Sequence, residues 1–122
     1  MNEPLLESFE RRALEPKGIT ITLPKIAESG NSVPVTVSVD SPMTSEDFVN
    51  AIHIFVPGNP ETRAVTYNLT PLCGKAEVAT RVKLARTQIV RVIAEMSDGS
   101  LRGIGASILV TAGACIEELW FD

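Results

Sequence analysis

Apolar residues along this chain fall into two regimes. Between Leu5 and Leu14 they recur with helical spacing, as Leu5, Leu6, Phe9 and Leu14 set among Glu7, Ser8, Glu10, Arg11, Arg12 and Glu15. Pro4 suits a first helical turn, and Pro16 with Gly18 ends the run. Residues 1–18 therefore read as an N-terminal segment with a short helix, either docked on the domain or a partner or a lead-in of the kind common at chain ends. From Ile19 onward the period becomes two. Ile19, Ile21 and Leu23 alternate with Thr20 and Thr22, and Val33, Val35, Val37 and Val39 alternate with Pro34, Thr36 and Ser38. Pro34 has no N–H for a ladder bond, which puts it near the start of its strand or at an edge.

Further strands are expected over Phe48–Val56, Thr62–Leu69, Ala76–Leu84, Thr87–Met96 and Leu101–Leu109. In the third-last of these, Ala76, Val78, Thr80, Val82 and Leu84 share one face and Glu77, Arg81 and Lys83 the other. Asp40-Ser41-Pro42-Met43 and Pro57-Gly58-Asn59-Pro60 read as loops, and Asp98-Gly99 carries the strongest short hairpin signal. About seven strands, with no helical stretch between them, predict an all-β fold. The expected architecture is an immunoglobulin-like antiparallel β-sandwich over residues 19–110, with a flexible C-terminal arm; a small open barrel is the alternative. The buried Trp and paired cysteines of an antibody-type domain are absent.

Composition narrows the function classes. A chain of 122 residues is one domain, large enough for a real core. The net charge of −4 and the scattered Lys and Arg residues give no support to nucleic-acid binding. No apolar run is long enough to span a bilayer. The start Met1-Asn2-Glu3-Pro4-Leu5-Leu6 lacks the basic region and apolar stretch of a secretory signal, which fits a cytoplasmic protein or an exported one read without its leader.

Ordinary enzyme signatures are missing, so no catalytic residue, metal ligand or bound cofactor is expected. Gly103-Ile104-Gly105 lies inside a strand, marking a bulge, a close backbone approach or a partner-facing edge. His53, the single histidine, points opposite Ile52 and Ile54 and reads as a half-buried structural or surface residue. Glu46 and Asp47 read as turn residues, and Glu77, Glu95 and Asp98 as solvated strand faces or turn groups.

The two cysteines differ. Cys73, in Thr70-Pro71-Leu72-Cys73-Gly74, sits in a turn as a partly buried small residue or an incidental free thiol. Cys115 follows the last strand in Thr111-Ala112-Gly113-Ala114-Cys115, where small neighbours shield it little. An extended segment from Val110 carries that thiol roughly 15 Å from the strand end. With no activating neighbour its pKa stays near about 8.5, which suits a group acted on by other enzymes. Covalent attachment, disulfide formation, metal capture and an incidental role all remain open at this point. A Cys73–Cys115 disulfide would need Cα atoms within about 7 Å.

An ordered series of residues resembles the SoxY family, the substrate-carrying subunits of the bacterial sulfur-oxidation (Sox) system, over roughly residues 19–115. It runs from Ile26 through Gly30 and Val33-Pro34-Val35 to Thr44, then Ile52-His53-Ile54-Phe55 and Asn59-Pro60. It continues with Thr70-Pro71, Gly74 to Val82, Leu84-Ala85, Thr87-Gln88 and Ala94 to Ser100. The resemblance implies an immunoglobulin-like sandwich in the periplasm that pairs with a SoxZ-like subunit of related fold. It also implies a covalent carrier of sulfur intermediates on a C-terminal cysteine, usually centred in Gly-Gly-Cys-Gly-Gly. In that family a c-type cytochrome enzyme couples thiosulfate to the cysteine, a thiosulfohydrolase releases sulfate and a sulfur dehydrogenase oxidises the remaining sulfane sulfur. Carried onto this chain, Cys115 is the attachment residue, bearing thiosulfonate or persulfide-type adducts, and Thr111, Ala112, Gly113 and Ala114 form the arm. A homo-oligomer is expected when the partner is absent.

Residues 111–122 also depart from the family pattern. Ala112 and Ala114 stand where glycines are usual, and Ile116-Glu117-Glu118-Leu119-Trp120-Phe121-Asp122 follows where the family usually stops within about two small residues. Three readings of this tail are open: vector-derived sequence, a divergent homologue whose arm docks differently, or a protein-interaction module that has lost the carrier function. The apolar tail residues also suit packing on the sandwich or on a neighbouring chain.

Overall fold

The computed structural model describes residues 3–60 and 64–113. One helix, α1 (Glu3–Glu10), is followed by β1 (Leu14–Glu15), β2 (Ile19–Thr22), β3 (Ile26–Ala27), β4 (Val33–Val39) and β5 (Val49–Phe55). Then come β6 (Ala64–Asn68), a single 3-10 turn at Pro71–Cys73, β7 (Ala76–Val82), β8 (Gln88–Met96) and β9 (Leu101–Val110). The strands form two packed sheets, one in the order β1-β9-β8-β5-β6 with β3 also on β9, the other β2-β4-β7. The fold is all-β, with nine strands among the described residues where about seven were expected. The additional strands, β1 and β3, are two-residue parallel additions to β9, registered Leu14↔Leu101 and Ile26↔Leu109. Two residues are too few to show an alternation, so only the neighbouring strand reveals them.

Strand parity decides what faces inward. Val33, Val35, Val37 and Val39 of β4 meet Ile52 and Ile54 of β5, Val90, Val92 and Ala94 of β8, and Ile108 and Val110 of β9 in one aliphatic core. Pro34 is accommodated because β2 pairs only with Thr36–Val39, leaving Pro34 with a single neighbour, Arg81 of β7. A bulge between Val49 and Ala51 resets the parity of β5. Val49, Ile52 and Ile54 thus all reach the core while His53 and Phe55 face outward.

The outer face of the larger sheet holds a second apolar cluster. Leu6 and Phe9 of α1 pack there on Phe55, Ile93 and Leu101, with Leu14 alongside. The helix is shorter than the apolar spacing out to Leu14 suggests. It stops at Glu10, and the Arg12 guanidinium bonds the Gly99 carbonyl (2.9 Å), so Leu14 is delivered to the edge of β9 rather than to a fourth helical turn. An eight-residue helix is too short to persist alone and depends on this packing. Both glycines of Gly103-Ile104-Gly105 are close-approach positions: a Cβ would lie 3.0 Å from Leu14 Cδ1 at Gly103 and 3.0 Å from Ile89 Cγ2 at Gly105. No bulge interrupts the β8–β9 pairing. Their connection is Ser97–Ser100, with Gly99 at φ 88° and the Asp98 carboxylate accepting from the Ser100 N–H (2.8 Å).

Candidate functional site

The end of β9 is where the arm begins, and three other segments converge on it. The Val110 N–H donates to Thr87 Oγ1 (2.8 Å). The Thr111 N–H donates to the Ala27 carbonyl (3.1 Å), and its hydroxyl donates to the Glu28 carbonyl (3.1 Å). The Gly30 N–H then donates to the Ala112 carbonyl (2.8 Å), while the Gly30 carbonyl accepts from the fully buried Leu84 (2.8 Å). The chain thus leaves the sheet already stitched to residues 27–30.

Asn59 builds the other wall. Its Nδ2 donates to the Lys83 carbonyl (2.8 Å), and its Oδ1 accepts from the Ala85 N–H (2.9 Å) and from Gln88 Nε2 (3.0 Å). Gln88 Oε1 in turn accepts from the Gly58 N–H (2.9 Å). The Pro57–Pro60 loop therefore holds segment 83–88 in place, and that segment presents the Ala85 carbonyl to Gly113. A Cβ on Gly113 would overlap this carbonyl oxygen. The contact is backbone on backbone, so neither side can swing away, and the position requires glycine for slenderness.

Thr111 and Ala112 are therefore hydrogen-bonded to residues 27–30 of the domain, and Gly113 lies against the Ala85 backbone. Ala114, Cys115 and the tail lie outside the described residues. The residues that the sequence reading had not connected to the site are Gly30, Asn59, Ala85, Thr87 and Gln88. Each belongs to the series that carries the family resemblance, which was the available signal; what was missing was their convergence in space.

The remaining candidates lie elsewhere. His53 is buried, only 6 % exposed, rather than half-buried or at the surface. Its Nδ1 meets Thr66 Oγ1 (2.8 Å), its Nε2 meets Glu95 Oε2 (2.5 Å), and the Phe9 ring covers it at 5.0 Å. Glu95 is thus the partner of a buried imidazole instead of a solvated strand residue. The pairing is set by β5 lying next to β8, which local sequence does not display. Glu77 pairs with Lys75 (3.1 Å) at the surface. The Ser100 hydroxyl and N–H both donate to Asp98 and hold its carboxyl below the ordinary value of 3.8. Cys73 is a free, exposed thiol in the 3-10 turn, away from the arm root. Among the described residues no group of three or more His, Cys, Asp and Glu side chains is placed to hold a metal.

The chain matches the family model described as "Sulfur oxidation protein SoxY" over residues 6–115, so the match ends on Cys115. Among solved structures it is similar to the sulfur carrier protein SoxY from Chlorobium limicola f thiosulfatophilum. That pair superposes with a TM-score of 0.70 at 27 % identity, covering 89 % of this chain and 90 % of the other. The superoxide reductase (neelaredoxin) from Ignicoccus hospitalis shares the fold, with a TM-score of 0.67 at 18 % identity over 75 % of this chain and 79 % of that one. No curated protein sequence is significantly similar to it.

Proposed function

The chain belongs to the SoxY family of sulfur carriers, and we propose that Cys115 is the residue on which it carries sulfur. SoxY proteins are carriers rather than enzymes, so the chemistry falls to partner enzymes. The observation that carries the assignment is the family match running through the arm and ending at Cys115. The geometry supports it. A root fixed by Thr87, Ala27, Glu28, Gly30 and Ala85 gives the arm a defined start, and a tethered thiol visits successive enzymes without dissociating.

On this reading the Cys115 thiol loses its proton and its sulfur forms an S–S bond with the sulfane sulfur of thiosulfate. Two electrons pass to a c-type cytochrome enzyme. The resulting thiosulfonate is hydrolysed by a thiosulfohydrolase, whose water supplies the fourth oxygen of sulfate and leaves a persulfide on Cys115. A sulfur dehydrogenase oxidises the remaining sulfane sulfur. Gly113 is the arm glycine that must stay slender, and Thr111, Ala112 and Ala114 complete the arm. The same reading makes the two-sheet fold an immunoglobulin-like sandwich, pairs it with a SoxZ-like subunit or with itself when that is absent, and locates it in the periplasm.

Intact-mass analysis after incubation with thiosulfate and the cytochrome component tests the reading. The expected result is a reductant-labile adduct of one thiosulfate, mapped to Cys115 and absent from Cys115→Ser. A folded, partner-bound sample that stays unmodified overturns it. Recovery of the adduct only in protein trimmed after Cys115 identifies the tail as an obstruction to the enzymes.

A further inference from the structure

The polar network beneath α1 has a direction that the carrier reading leaves unused. Thr66 of β6 stands directly opposite His53 of β5, and Glu95 of β8 lies two residues beyond Ile93, the other cross-strand partner of His53. Three adjacent strands thus put a hydroxyl, an imidazole and a carboxylate in a row on the outer sheet face. Glu95 Oε2 lies 2.5 Å from His53 Nε2, and an ionised carboxylate can only accept, so Nε2 carries the ring proton. In the neutral ring Nδ1 is then a bare acceptor, and the group facing it at 2.8 Å is the Thr66 hydroxyl. The hydroxyl therefore donates to the imidazole. A hydroxyl bonded to a base that a third group orients is the arrangement that activates an oxygen nucleophile.

Access is divided in the way such chemistry needs. His53 is 6 % exposed and lies under the Phe9 ring, which keeps water from the base, whereas Thr66 is open to solvent. Among the described residues β6 is the last strand of its sheet. The Leu69 N–H donates to the Asn50 carbonyl (2.9 Å), so antiparallel alternation turns the Val65 and Tyr67 N–H groups toward β5 and the Thr66 N–H out to the free edge. The hydroxyl and an unused N–H of one residue are thus offered to the same approaching group. That N–H is a donor for the oxygen of a carbonyl under attack.

We propose that Thr66 is a covalent acceptor of acyl groups from activated esters, with His53 as its general base and Glu95 as the residue that positions the base. Thr66 Oγ1 attacks the ester carbonyl carbon while its proton passes to His53 Nδ1. The new O–C bond replaces the bond to the leaving oxygen, and the imidazolium, held by Glu95, gives its proton to that oxygen or to water. One ester is exchanged for another, so the electrons balance within the two reactants. The site stands apart from Cys115 and does not rest on the carrier assignment.

The test uses the full chain carrying Cys73→Ala and Cys115→Ala, which removes competing thiols. It is incubated with p-nitrophenyl acetate, and acetylation is followed residue by residue through peptide mass mapping. Thr20 and Thr22, exposed hydroxyls on β2, are the internal references. Thr66 should gain acetyl about a hundredfold faster than either. His53→Gln should bring residue 66 down to the reference rate, and Thr66→Ser should keep the fast one. Glu95→Gln should slow Thr66 about tenfold and leave Thr20 and Thr22 unchanged, a selective loss that a general loosening of the fold does not give. Because Glu95 is a third exposed, that variant keeps the comparison open where His53→Gln does not fold. A Thr66 rate within threefold of the references overturns the proposal. So does fast acetylation of Thr66 that persists in Glu95→Gln or in folded His53→Gln, or an acetyl group that maps to His53 instead. Both cysteines are replaced in the tested chain, so every one of these results leaves the carrier assignment where it stands.

Discussion

Along β8 and β9 the same outward-facing positions meet two different fates. Ile93 and Leu101, under α1, are 2 % and 3 % exposed, whereas Ile89 and Leu109, a few residues along the same strands, are nearly half exposed. Strand chemistry does not distinguish these positions, since all four are large aliphatics at the same parity. The difference lies in the covering segment. The buried half has a helix whose Phe9 also seals the His53–Glu95 pair, while the open half adjoins the arm root and has no cover among the described residues. One half is thus part of the folded core, and the other stays exposed among the described residues.

This contrast can be broken or sharpened by substitution. Phe55→Ala, at a fully buried position beneath α1, should cost about 4 kcal/mol by urea denaturation. A loss below about 1 kcal/mol would mean that the helix contributes little cover. Gly113→Ala, at the boundary of the open half, should cost about 2 kcal/mol, since Ala85 must be pushed away. Hydrogen exchange at the Leu84 and Gly30 amides should quicken, and unchanged protection there would show the root is not held as described. Glu95→Gln weakens a charge-assisted bond to buried His53, with Glu95 itself a third exposed, and should cost about 1 kcal/mol. Ile89→Thr should alter global stability by less than about 0.5 kcal/mol. A larger loss would place Ile89 in the folding core after all.

The smallest expected effect is at the β8–β9 connection. Hydrogen bonds from Ser100 lower the Asp98 carboxyl below its ordinary value. A depressed folded-state value stabilises the fold above the unfolded-state value and ceases to do so as pH falls through the folded-state one. Asp98→Asn should therefore be slightly less stable than the unaltered chain at neutral pH, with the difference vanishing on acidification below about pH 3.8. A gap independent of pH would assign the effect to packing instead. Because Asp98 is fully solvent-exposed, the gap is a minor one.

Legibility followed the range of the interaction. Alternation in Val33–Val39 and Ala76–Val82 named those strands and their inward faces, because period two is written residue by residue. Loop chemistry did the same for Pro57–Pro60 and for Asp98-Gly99. The partnership of His53 with Glu95 was not legible, since it joins residues 42 positions apart across two strands whose adjacency is a matter of topology. Nor was the arm root, where Gly30, Asn59, Ala85 and Gly113 become neighbours only after the two sheets have packed.

By itself the sequence determined an all-β chain, the inward faces of β4 and β7, and a family resemblance that singles out Cys115. These follow from local periodicity and from residue identities in order, neither of which needs a partner strand. Tertiary structure alone decided that Thr111 and Ala112 are anchored and that Gly113 is needed for close backbone approach. It also decided that the outer sheet face is sealed at one end and open at the other. Those properties arise from backbone carbonyls and side chains brought together from distant segments, and no local pattern encodes which segments will meet.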